Sequence, residues 1–94
     1  MVGISNVSGE SELTIRPNPF NPSASISFYL PQKSAVSLAL YNLQGKVVKE
    51  LLNGMTSEGR HTVQVEAGSL ASGIYICEFR TGATAKRLKL VLMR

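Results

Sequence analysis

From Ser25 onward the chain alternates apolar and polar residues, stops at a turn, and alternates again. Ile26, Phe28 and Leu30 fall at every second position, with Ser25, Ser27 and Tyr29 between them. Val36, Leu38 and Leu40 repeat the pattern against Ser37, Ala39 and Tyr41. His61, Val63 and Val65 repeat it against Thr62, Gln64 and Glu66. Tyr75, Cys77 and Phe79 face one way and Ile74 and Ile76 the other. A period of two sets one apolar face on a strand, whereas a helix needs a period near 3.6. Extended segments are therefore predicted over 13–16, 25–30, 36–41, 46–52, 61–66, 74–80 and 84–93. Only 46–52 breaks the period, through the pairs Val47-Val48 and Leu51-Leu52. A bulge or burial on both faces accounts for that, and a short helix is the competing reading.

Turn signals separate these segments. Pro31-Gln32-Lys33-Ser34 and Asn42-Leu43-Gln44-Gly45 are the first two, the latter with a glycine free to take positive φ. A loop is expected from Asn53-Gly54 to Gly59, a turn of small residues from Ala67 to Gly73, and a tight turn at Thr81-Gly82-Ala83. Leu70, alone in its polar turn, is expected to plug the core. Strands that recur about every ten residues predict an all-β fold, a seven-stranded antiparallel immunoglobulin-like β-sandwich. Tyr75, just after Ser72-Gly73, is placed as a corner tyrosine whose hydroxyl bonds back to the main chain.

Between the first two strands lies Pro17-Asn18-Pro19-Phe20-Asn21-Pro22. Proline fixes φ, removes a donor and pushes the residue before it to extended geometry, so this stretch is neither helix nor central strand. It is a stiff loop carrying one large apolar side chain. Its place after the first strand favours a clamp, with Phe20 covering one end of the core. An exposed Phe20 would instead make it a recognition element.

The length of 94 residues allows one domain. Residues 1–12 are small and polar and read as a linker or a cloning remnant, leaving 13–94 as the folded unit. No run approaches the ~18 apolar residues of a membrane helix. Met1–Asn6 has neither the basic start nor the apolar centre of an export leader, so an exported protein would carry its leader on a longer precursor. Asn6-Val7-Ser8 matches a glycosylation acceptor, a three-residue pattern of little weight; Asn21-Pro22-Ser23 fails that rule through its proline.

The residue types exclude most chemistry. Cys77 is the only cysteine, so no internal disulfide forms, and its apolar strand predicts a buried, inert thiol. His61 is the only histidine and reads as a packed or rim residue. Paired with Cys77 it would resemble a base and a nucleophile, but no orienting acid stands at a recognisable spacing. Aspartate is absent, and the six glutamates are scattered. No calcium loop, phosphate cradle, CxxC or HExxH motif occurs. No catalytic, cofactor or metal residue is assigned.

The net charge is +4, and Lys86, Arg87, Lys89 and Arg94 crowd the end of the sequence. Lysines on an edge strand discourage sheet-to-sheet pairing, and the same charges would suit an anionic partner. The aromatic residues do not interleave with them as a stacking platform, which argues against nucleic acid. The last strand runs to Arg94, either tied down or read by a receptor through strand addition or capture of its carboxylate.

Several stretches together resemble the C-terminal sorting domain of the type IX (Por) secretion system. They are Pro17–Pro22, Ile26-Ser27-Phe28-Tyr29-Leu30-Pro31, the run from Val36 to Gly45, Leu51-Leu52-Asn53-Gly54, Gly59–Val63, Leu70-Ala71-Ser72-Gly73-Ile74-Tyr75 and Lys89–Arg94. The pattern is also similar to the immunoglobulin-like domain of flagellar hook-capping proteins, although the basic last strand fits the sorting domain better. The resemblance implies a non-catalytic signal at the end of secreted proteins of Bacteroidetes-type bacteria. The outer-membrane secretion machinery would recognise it after periplasmic export and carry the N-terminal cargo to the cell surface or medium, and a sortase-like peptidase would then remove it. By position, Lys89 matches the family's lysine, Leu90, Val91, Leu92 and Met93 its apolar run, and Arg94 its terminal basic residue. Cys77 departs from the aromatic or aliphatic residue usual there. The alternative is an immunoglobulin-like accessory or carbohydrate-binding module of a glycosidase or adhesin, for which Tyr29 and Tyr41 are the outward aromatic candidates.

Overall fold

Alternation that buries one face of each strand demands a second layer, and the chain supplies it. The computed structural model describes residues 13–82 and 84–94. Among them are seven strands and no helix: β1 (Leu13–Arg16), β2 (Ser23–Leu30), β3 (Ser34–Tyr41), β4 (Val47–Thr56), β5 (Gly59–Glu66), β6 (Gly73–Thr81) and β7 (Thr84–Leu92). The predicted linker 1–12 and the Asn6 acceptor lie outside the described residues, as does Ala83 of the last turn.

Two antiparallel sheets form, one in the order β1-β2-β5 and one in the order β4-β3-β6-β7. The all-β sandwich expected from the alternation is therefore present. It differs from a constant-type immunoglobulin domain, whose fourth strand edges the sheet of the first two. Here β4 cannot leave β3, because a tight turn joins them. Asn42 Oδ1 accepts from the amides of Gln44 and Lys46, each at 3.0 Å. The Asn42 amide donates to Lys46 O at 2.9 Å, and Gly45 takes φ +87°. A side chain at 45 would be strained in that left-handed conformation.

The loop expected over 53–59 is corrected. β4 continues through Asn53 and Gly54 to Thr56, with Val36 opposite Gly54 and Ser34 opposite Thr56. The first half of β3 needs a partner, and only β4 is on that side. The broken period of 46–52 is resolved as bulges: the register shifts between Leu38 and Ala39, and again between Leu40 and Tyr41. One extra residue on β4 at each place accounts for the paired apolar residues.

The inward faces meet as the alternation requires. Ile26, Phe28 and Leu30 pack against Val36, Leu38, Leu40, Cys77 and Phe79, all buried. The Phe28 and Phe79 rings join the sheets at 4.8 Å between centroids. Leu70 packs against this core from its turn. Tyr75 donates from its hydroxyl to Ala71 O at 2.5 Å, fixing the entry to β6. Gly73 opens that strand at φ +155°, a geometry side chains rarely adopt.

The proline stretch closes one end. Phe20 is 1% exposed and forms a parallel bridge with Leu92. Its amide donates to Val91 O at 2.8 Å, and its carbonyl accepts from the Met93 amide at 3.0 Å. A chain segment that leaves β1 in one sheet thus pairs with β7 in the other. Removing the ring from so closed a site leaves a cavity. Phe20→Ala is expected to lower stability by about 3–4 kcal/mol, measured by urea denaturation with an unchanged m-value.

Candidate recognition site on the last strand

The last strand pairs with β6 from Gly73↔Leu92 to Thr81↔Thr84, and among the described residues no further strand lies on its other side. Its basic residues therefore sit on an edge, as expected. Alternation divides the six residues of the candidate signal. Leu90 and Leu92 point inward and are fully buried. Lys89, Met93 and Arg94 are exposed, and Val91 is half-buried opposite Ile74.

The backbone of this half of the edge is occupied. Asn18 donates from Nδ2 to Lys89 O at 2.8 Å and accepts the Val91 amide on Oδ1 at 3.0 Å. Its side-chain amide thus takes the place of a peptide unit, and Phe20 continues the ladder to Met93. Strand addition by a partner over 89–93 is blocked, so these residues present side chains and not main chain. Arg94 is held separately. Its amide donates to Ser72 Oγ at 2.9 Å, and Nη1 donates to the carbonyls of Gly68 and Leu70 at 2.7 and 2.6 Å. The structure gives Arg94 a capping role on the 67–72 loop, in addition to any contact it makes outside.

The basic residues near the end are not one patch. Arg87 belongs to a cluster that the sequence reading did not single out. Glu78 Oε2 accepts from Arg87 Nε at 2.9 Å and lies 2.9 Å from Arg87 Nη2 and 3.2 Å from Arg80 Nη2. Burial alone would raise the Glu78 carboxyl. The guanidinium charges of Arg80 and Arg87, with hydrogen bonds from Arg87 and Tyr41, outweigh it and hold the group below the ordinary glutamate range. The signal for this cluster was in the sequence. A tight turn between Thr81 and Thr84 sets residue 78 opposite 87, and 78 and 80 share a face.

His61 and Cys77 lie on different sheets. The His61 ring stacks on Phe28 at 5.3 Å, with Nε2 2.8 Å from Ser57 O. A carbonyl only accepts, so Nε2 carries the proton. Cys77 is fully buried, and burial pushes its thiol up to about 12. Tyr29 lies on the outer face of the three-stranded sheet and Tyr41 on that of the four-stranded sheet. The two cannot form one sugar-binding strip. No group of three or more His, Cys, Asp or Glu side chains suited to a metal ion occurs among the described residues.

Over residues 14–93 the chain matches the profile of the secretion system C-terminal sorting domain. The chain belongs to this family. Neither a curated protein nor a solved structure gives a match.

Two outcomes follow from the titrating groups. The Glu78 carboxyl lies lower in the folded than in the unfolded chain, so its contribution is present above the ordinary value of 4.5 and is lost as pH falls through the folded value. Thermal midpoints from pH 7 to pH 2 are expected to drop below that point, with a shallower drop in Glu78→Gln. Cys77 is expected to resist iodoacetamide at pH 8 until denaturant unfolds the domain, as read by mass spectrometry.

Proposed function

We propose that this chain, a member of the secretion system C-terminal sorting family, is the signal by which the type IX machinery carries an N-terminal cargo across the outer membrane. The match over residues 14–93 carries this reading, because it spans all seven strands and not an isolated motif. The signal is assigned to residues 13–94, and residues 1–12 to a linker toward the cargo. The precursor passes through the periplasm, and a sortase-like peptidase separates cargo from signal at the cell surface or in the medium.

The mechanism is recognition without bond making. Leu90 and Leu92 anchor the strand in the core, while Lys89, Val91, Met93 and Arg94 offer the machinery a charged and apolar contour. Lys89 is an exposed ammonium on a strand whose backbone is held by Asn18, so its position is fixed although its side chain is free to extend. An anchored contour limits the conformational entropy lost on docking.

Deleting residues 90–94 would remove two core leucines, and folding and sorting would be lost together. Surface substitutions separate them. A reporter fused ahead of residues 13–94 is expected to reach the medium of a host with type IX secretion. The Lys89→Ala, Met93→Ser double variant is expected to stay in the periplasm with an unchanged thermal midpoint. Secretion of that folded double variant at the wild-type level would defeat the assignment of these residues. Retention of the wild-type fusion would defeat the sorting role itself.

A further inference from the structure

We propose that the outer face of the four-stranded sheet is a protein-docking surface whose partner presents apolar side chains flanked by carboxylates. The inference rests on the sorting reading and extends the recognised surface well beyond the last strand.

The two outer faces of the sandwich differ in kind. On the three-stranded sheet, Gln64 Nε2 donates to Ser25 Oγ at 2.9 Å, and the hydroxyls of Ser27 and Thr62 meet at 3.3 Å. That face is mainly polar, and four of its side chains bond to one another. On the four-stranded sheet the register sets Val47, Tyr41, Ile76 and Lys89 side by side across all four strands. Ile74 and Val91 form the next row. Among the described residues there are six exposed large hydrophobic side chains: Tyr29, Leu43, Val47, Met55, Ile74 and Met93. All but Tyr29 belong to this sheet's outer side, its hairpin or its trailing end. Chance scatter would divide them between the faces, whereas clustering marks an interaction site.

The face also has relief and charge. Leu43, Tyr41 and Ile76 border a groove of about 440 Å³ whose polar wall is Glu78 with Arg80 and Arg87. One carboxylate there answers two guanidiniums, and both arginine side chains stay more than half exposed. With Lys89 in the adjoining row, the groove keeps a cationic excess. A second copy of the chain would set that excess against itself. A nucleic-acid backbone would gain nothing from the apolar row. A protein surface with large apolar side chains and nearby carboxylates satisfies both halves. The sheet is also large enough. Four strands ~4.8 Å apart and ~30 Å long cover roughly 500 Å² in projection, and side-chain relief brings that toward the ~800 Å² that each partner gives to a standard interface.

The face is continuous with the proposed signal. Lys89, Val91 and Met93 follow the outward parity of β7 and form its margin, while Leu90 and Leu92 point the other way. A receptor that touches those three residues from outside meets Ile74 and Ile76 next.

The test uses the full chain behind a reporter in a host with type IX secretion. Leu43→Ser, Val47→Thr and Ile74→Thr, combined and also singly in case the triple variant does not fold, leave residues 89–94 untouched. Export is expected to fall at least tenfold in the triple variant, or severalfold in the folded single variants, with the thermal midpoint kept. Tyr29→Ser on the opposite face is expected to export normally. Lys89→Glu is expected to export less than Lys89→Gln, as a carboxylate-bearing partner requires. Normal export of the folded face variants overturns the docking surface and leaves the sorting role standing. Equal export of the two Lys89 variants overturns the carboxylates. Sedimentation is expected to give a monomer; a dimer that the face substitutions dissolve would make a second copy the occupant and overturn the assignment. If even the wild-type fusion stays inside, the sorting reading falls and this inference falls with it.

Discussion

The pairing of the Asn18–Phe20 segment with β7 is the directional contact that joins the two sheets of this sandwich. Hydrogen bonds hold each sheet together, but between sheets the core is mostly side-chain packing, which is non-directional. The strap adds direction. Asn18 spends both ends of its amide on Lys89 and Val91, and Phe20 spends its N–H and C=O on Val91 and Met93. Four hydrogen bonds thus run from a segment that leaves one sheet to the edge strand of the other, with a buried ring beneath them. Each bond adds about 1 kcal/mol net, less than the ring does. Their effect is positional: they fix which residues of β7 can be read by their side chains alone.

Much of this fold was legible because strand alternation leaves little freedom. Once Ile26, Phe28 and Leu30 must face Leu38, Cys77 and Phe79, two layers follow. The 53–59 segment was misread for a physical reason. Asn-Gly is a turn signal by local conformation, yet β3 needed eight residues of partner, and the ladder overrode the local preference at an edge where Gly54 could follow. The bulges of β4 were legible only as a broken period, since a sequence shows that an extra residue exists but not where pairing resumes.

The candidate site was less legible than the fold. The run of basic residues near the end looked like one patch, but parity and packing divide it. Arg87 is committed to Glu78, Arg94 to the carbonyls of the 67–72 loop, and Lys89 alone of these three projects from the edge end of the apolar row. Asn18 was visible only as part of a proline-rich loop. That its amide would substitute for a peptide unit depends on where β7 lies, a contact between residues 71 and 73 positions apart. No local pattern encodes so distant a partner.

The alternation in β7 lets one short segment meet two separate demands. A residue at 90 or 92 is chosen by the core, because any change of volume there is felt across both sheets. One at 89, 91 or 93 faces outward, where the proposed recognition would choose it. Sequence comparison alone would merge the two into a single basic and apolar motif, and truncation merges them again, since it removes anchor and contour together. Parity separates them: a substitution at 90 or 92 tests whether the domain stands, and one at 89, 91 or 93 tests the proposed recognition. The strap sharpens that division by denying a partner the backbone of residues 89–93, so that selectivity at this edge has to come from the side chains themselves.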